Sequence, residues 1–147
     1  AVPGLPRLRL WQEALEATGR DAGDFGRSYV GEETWDKFDV PVDLATAATH
    51  ERGLAAVYVL EKGDELEIRQ LEGVEAAEAV FAHTYRGTYV TVMNGQHEHW
   101  SAAMRMVRST PVFRLTRRWG LGQMVQDGMR ILYHASGIGL PDQAIAG

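Results

Sequence analysis

The residues that could do chemistry fall into three sets. The run Gly23-Asp24-Phe25-Gly26-Arg27-Ser28 approaches a phosphate loop, but the motif G-x-x-x-x-G-K-[ST] needs a glycine where Asp21 stands, and Arg27 occupies the lysine position. Asp24-Phe25-Gly26 spells a kinase magnesium motif, yet no HRD segment or strand lysine accompanies it. His97-Glu98-His99 would ligate one metal ion from a strand, where i and i+2 share a face; on a helix the two rings diverge by about 200°. The surrounding pattern is helical, so these histidines read as surface residues near a helix start. His50, His83 and His134 are isolated, Glu32-Glu33 sits in a glycine-rich stretch that reads as solvated, and no serine lies on a nucleophile elbow. The third set is basic. Arg7 and Arg9 alternate around the opening segment, Arg86 follows "HTY", and Arg114, Arg117 and Arg118 flank a strand end. Guanidinium groups bind phosphate bidentately, so their convergence would suit a nucleotide or a phosphorylated partner, and their dispersal would make them partners for the twenty acids.

Which elements would position these groups? "RLRLW" alternates and then passes into helical spacing, predicting a strand-like lead into a helix from Trp11 to Thr18 that ends at Gly19, with Trp11 anchored in the core. Residues 19–36 hold four glycines (Gly19, Gly23, Gly26, Gly31) and many acids, and predict a mobile loop. "KFDVPVD", Lys37 to Asp43, predicts an edge strand, because Pro41 cannot donate to a central ladder. Leu54 to Leu60 and Leu66 to Gln70, around Lys62-Gly63-Asp64, predict a hairpin of two antiparallel strands, the first buried on both faces. Helices follow over "GVEAAEAVFAHTY" and from Gln96 to Arg108, the latter with Trp100, Ala103, Met104 and Val107 on one stripe. Pro111 to Thr116 is a strand. The closing helix, "LGQMVQDGMRILYHA", is expected to turn Met124, Met129 and Leu132 inward, before a tail over about 137–147. The sum is one α/β domain, mixed α and β, with a short mixed or antiparallel sheet and about four helices.

Composition narrows the function classes. With 147 residues, 45% apolar and 24% charged, the chain has material for a core of ordinary domain size. A net charge of −5 offers no general attraction to nucleic acid or to anionic lipid, so neither is an expected partner. The absence of cysteine removes disulfides and thiolate metal sites and fits a reducing cytoplasm. No apolar run approaches the roughly 20 residues of a membrane span. The chain opens on Ala1 and its first methionine is Met93, which leaves open a removed initiator or a longer product.

In order, "PGLPRLRLWQEALEATG", the lone lysine of "DKFDVPV", "GLAAVYVLEKGDELEIRQLEGVEAAEAVFAHTYR" and "TPVFRLTRRWGLGQMVQ" resemble the C-terminal portion of HPr kinase/phosphorylase-like serine kinases, from about Val2 to Val125. The Pro-Arg-Leu-x-Leu-Trp segment is the distinctive part of the match. The resemblance implies a phosphoenolpyruvate-carboxykinase-type α/β kinase whose phosphate loop, magnesium-binding acids and general base lie upstream of the matched segment; none of these motifs stands in this chain. It also implies that Lys37 and Arg86 lie near the nucleotide or its phosphates, and that Arg7 helps to fix the strand-to-helix lead. Phosphoryl transfer is chiefly positioning and neutralisation of charge, so such a chain would act with Mg-ATP only together with a missing N-terminal kinase region or partner chain, on a protein, peptide or small-molecule hydroxyl. Taken alone, it would need no cofactor. The alternatives are a stand-alone, non-catalytic binding or regulatory module, and an unrelated metal-dependent enzyme using the HEH segment or His134. An oligomer is compatible with each.

Overall fold

A computed structural model describes residues 2–29, 31, 35–45, 47–85 and 87–138. The mixed α/β class expected from the sequence holds, with the strands divided between two three-stranded sheets, each in its own compact unit, Ala1–Arg52 and Gly53–Gly147.

In the first unit, β1 (Arg7–Trp11) leads directly into α1 (Gln12–Ala17), as the change of period predicts. A 3-10 turn (Ala22–Asp24), β2 (Gly26–Arg27) and β3 (Lys37–Pro41) complete it, in the antiparallel order β1-β3-β2. Because strand side chains alternate, Leu10 of β1 falls on the same face as Phe38 and Val40 of β3. That face joins Leu15 of α1, with Ala22 and Phe25 packed alongside, to make a small core. Gly19 stops α1 as expected. Its φ of +71° lets it donate its N–H to Glu16 O while Arg20 N–H reaches Leu15 O, a Schellman closure that satisfies two otherwise orphaned carbonyls.

Three expectations change here. β3 is the central strand, not an edge; β2 pairs only with Phe38 and Asp39, so one side of β3 is open by the time it reaches Pro41, and the missing N–H interrupts no ladder. The predicted loop over 19–36 includes the 3-10 turn and β2, because the Asp21 side chain accepts from Gly23 N–H at 2.8 Å and fixes the bend that returns the chain to the sheet. Glu32 and Glu33 lie outside the described residues. Trp11 is 50% exposed; the fully buried side chain of the lead is Leu15.

The second unit holds β4 (Val57–Lys62), β5 (Glu67–Leu71), α2 (Gly73–Ala82), α3 (Gly87–Val92), α4 (Gln96–Ser109), β6 (Val112–Arg117) and α5 (Met124–Ser136). The two segments of the expected hairpin run antiparallel but do not pair. β6 lies between them, parallel to β4 and antiparallel to β5. It takes the centre because Val112, Phe113 and Leu115 are all buried, whereas β4, expected to be buried on both faces, buries only Val59 fully. Just past β4, a Cβ at Gly63 would lie 2.1 Å from Thr116 Cγ2, so any other residue there would force the Thr116 side chain to move. One face of the sheet (Val57, Val59, Leu71, Val112) packs on Ala76, Ala79 and Val80 of α2 and Val107 of α4. On the other face α5 docks: His134 meets the rings of Tyr58 and Phe113, and Asp127 meets Arg117.

The inward face of α5 corrects the sequence reading. Met124 is half-buried as expected, but Met129 and Leu132 point outward, and the face toward the sheet carries Asp127 and His134. Tyr58 OH shares a 2.7 Å hydrogen bond with His134 Nδ1, and burial pushes the Tyr58 phenol above its ordinary range. An apolar pattern cannot register the ion pair and the hydrogen bond that help to fix the phase of this helix.

Candidate functional site

The alternation that buries Leu10 sends Arg7, Arg9 and Trp11 to the opposite face of β1, and the register places Pro41, Asp39 and Lys37 opposite them on β3. Two of the expected site residues, Arg7 and Lys37, therefore share one face of the first sheet, at opposite ends of the β1-β3 pairing. Arg86 lies outside the described residues.

Asp39 is the hub of this face. Its carboxylate pairs with Arg7 through Oδ2 and lies 3.3 Å from Arg9 Nε, while Ser28 Oγ donates to Oδ1 at 2.6 Å. The Ser28 hydrogen bond, opposed by partial desolvation and aided by the two guanidiniums, holds the Asp39 carboxyl below the usual carboxylate range. Around the hub, cations meet rings. The Arg9 guanidinium lies 5.3 Å from the centre of the Tyr29 ring, and Lys37 Nζ lies 5.1 Å from that of Trp11. Tyr29 meets Trp35 edge-on at 5.0 Å, and Trp35 is tilted against Trp11 at 6.4 Å. Beside Trp11 opens a cleft of about 540 Å³ lined by Gln12, Glu13, Glu16 and Asp36. Three cations and Asp39 share the open face with three aromatic rings, while Glu13, Glu16 and Asp36 make the adjoining cleft acidic, so the face and not the cleft can offer guanidinium and ammonium donors to an anion and a ring surface to a planar group.

The other candidates are structural. Arg27 pairs with Asp36 at 3.0 Å and lies over Phe38, so the Gly23–Ser28 stretch folds into the sheet rather than around a phosphate. Arg117 bonds to Asp127 and to Gly120 O, and Arg118 donates to Asp64 O. Arg114 Nε lies 3.0 Å from Glu61 Oε1, but off the line of a hydrogen bond, and the guanidinium also approaches Glu75. Glu75 is drawn below its ordinary range mainly by its hydrogen bond from Arg69. His97 and His99 occupy the first turn of α4, where their rings diverge; His99 Nε2 shares a 2.6 Å hydrogen bond with Thr84 Oγ1. Among the described residues no three His, Asp or Glu side chains are grouped to hold a metal ion, and no helix is long and apolar enough to cross a membrane.

Sequence reasoning passed over Asp39, Tyr29 and Trp35. The alternation of "RLRLW" and "KFDVP" already implied that Arg9 and Asp39 would each have a same-face neighbour; what it could not supply was the register that makes them partners. No protein family, curated protein or solved structure matches the chain.

Proposed function

We propose that this chain is the nucleotide-holding part of an ATP-dependent, HPr-kinase-like serine/threonine kinase of the cytoplasm, and that it transfers no phosphoryl group unaided. The observation that supports this reading is the gathering of Arg7, Arg9 and Lys37 on one open face with Trp11, Tyr29 and Trp35. Phosphoryl-transfer proteins work by neutralising and positioning phosphate, and these side chains supply charge and a ring surface but no phosphate loop or metal-binding acids. Those parts, with the general base, would come from a kinase region elsewhere in the gene product or from a partner chain, and the acceptor would be a protein, peptide or small-molecule hydroxyl. Asp39 sharpens the idea, because an incoming phosphate must take over donors that a carboxylate now holds.

The test is a titration of the native gene product with Mg-ATP, read by tryptophan fluorescence. Lys37→Ala and Arg7→Ala are each expected to weaken binding roughly tenfold, the loss of about 1.4 kcal/mol that one charge-assisted contact represents, with the melting temperature unchanged. Equal affinity in the parent and both variants would end the nucleotide reading. A binding or regulatory module gains support instead if acidic peptides, but not Mg-ATP, quench the same tryptophans.

A further inference from the structure

The helix α5 carries an exposed apolar face opposite the one that docks on its own sheet. Val125, Met129, Leu132 and Tyr133, at i, i+4, i+7 and i+8, are 76%, 65%, 66% and 84% exposed. They form a stripe about 100° wide on the helix surface, turned away from the Asp127 and His134 face that docks on the sheet. Beside the stripe, Leu66 and Ile68 from the edge of the sheet, with Met129, Arg130 and Tyr133, line a groove of about 390 Å³.

We infer that this surface is a homodimer interface, with the α5 stripe of one copy seated on the stripe and groove of a second copy. Two observations choose a second copy over other occupants. First, projection and recess lie side by side on one patch, the arrangement a two-fold interface requires, since each copy must offer both halves of every contact. With the two α5 helices antiparallel and crossing at Met129, Val125 of one copy faces the Leu132-Tyr133 end of the other, and each Tyr133 ring can enter the opposite groove. Second, the rim is self-complementary in charge. Arg130 lines the groove and, with Glu65, also lines a recess next to it in the same copy, and among the described residues neither Arg130 nor Glu65 makes an ion pair. A two-fold mate can therefore exchange these groups, Arg130 of each copy pairing with Glu65 of the other. The size approaches what a dimer needs. Four such side chains present on the order of 500 Å², and the groove walls with the Arg130 stem extend this toward the roughly 800 Å² that a stable complex takes from each partner. This inference is independent of the nucleotide reading.

The experiment is sedimentation equilibrium of the full chain from micromolar to millimolar concentration. The parent is expected to be a dimer across most of that range. Met129→Glu and Leu132→Glu place buried carboxylates at the centre and are expected to weaken association about a hundredfold, with far-UV dichroism and melting of the monomer unchanged because both side chains are exposed there. Val74→Glu, at an exposed apolar site on α2, should leave the dimer intact. Arg130→Glu should weaken the dimer, and adding Glu65→Arg should restore it. A parent that is monomeric at millimolar concentration, or a dimer indifferent to both α5 carboxylates, overturns the inference.

Discussion

Both units hold an arginine against an aspartate, and the surroundings give the two pairs opposite roles. In the first unit Asp39 receives Arg7 and Arg9 on an open face, with side chains still 27% to 40% exposed. In the second, Arg117 Nε meets Asp127 Oδ2 at 3.1 Å under α5, where the aspartate side chain is only 9% exposed. An exposed pair is worth roughly 0–1 kcal/mol, so a ligand can replace one member at little expense. A buried pair that loses one member leaves a charge without solvent, at about 3–5 kcal/mol. The same chemistry thus serves as a replaceable contact in one unit and as part of the scaffold in the other.

The largest effect on the second unit should come from breaking the buried pair. Asp127→Ala leaves Arg117, 21% exposed and still bonded to Gly120 O, without its carboxylate partner and is expected to lower the stability of the second unit by about 3 kcal/mol. Amide hydrogen exchange on β6 would show it as faster opening, while exchange on β3 stays as in the parent. Protection of β6 within about 1 kcal/mol of the parent would show that water already reaches Arg117 and that the contrast between the two pairs is smaller than their exposures imply.

The first unit offers its own internal contrast. Leu15 is fully buried among Phe38, Val40, Leu10, Ala22 and Phe25, so Leu15→Ala is expected to cost about 2–5 kcal/mol and to release β3 amides to exchange. Trp11, four residues earlier and much larger, is expected to cost only about 1–2 kcal/mol when changed to Ala, less than half of what a buried tryptophan would. Losses of equal size in the two variants would return Trp11 to the core and remove the ring surface from the candidate site.

What the sequence made legible was local. The Arg-Leu alternation, the Gly19 stop of α1 and the Trp100-Ala103-Met104-Val107 stripe of α4 each depend on neighbours within a turn or two, and each appears where the pattern places it. The insertion of β6 between β4 and β5 is a choice made some forty residues away. No turn chemistry at Lys62-Gly63-Asp64 could reveal it, since a turn fixes direction but not neighbour. The phase of α5 failed for a different reason. Its docking face mixes Asp127 and His134 with apolar residues, and its outward Met129 and Leu132 satisfy an apolar template as well as core residues would. At the candidate site, Arg7 and Lys37 could be named but not joined, because Asp39 matters only through a cross-strand register and a serine eleven residues before it.

That serine sets up the smallest and most specific prediction. The Asp39 carboxyl is lowered first by the Ser28 hydrogen bond and only afterwards by Arg7 and Arg9. A carboxyl lowered by folding contributes stability above its unfolded value, near pH 4, and that contribution disappears as the pH falls through the folded value. Ser28→Ala should therefore move the Asp39 titration, followed by carbon-13 shifts of the side-chain carboxyl, upward toward the ordinary value. Arg7→Ala should move it less, and added salt should shrink the arginine effect while leaving that of serine in place, because a short hydrogen bond is not screened as exposed charges are. The opposite ranking would mean that Asp39 is held by charge alone. In that case an anion competing for Arg7 and Arg9 would free the carboxylate entirely, whereas a carboxylate kept in place by Ser28 stays to repel the same anion, and ligand affinity at this face should rise, not fall, in Asp39→Asn.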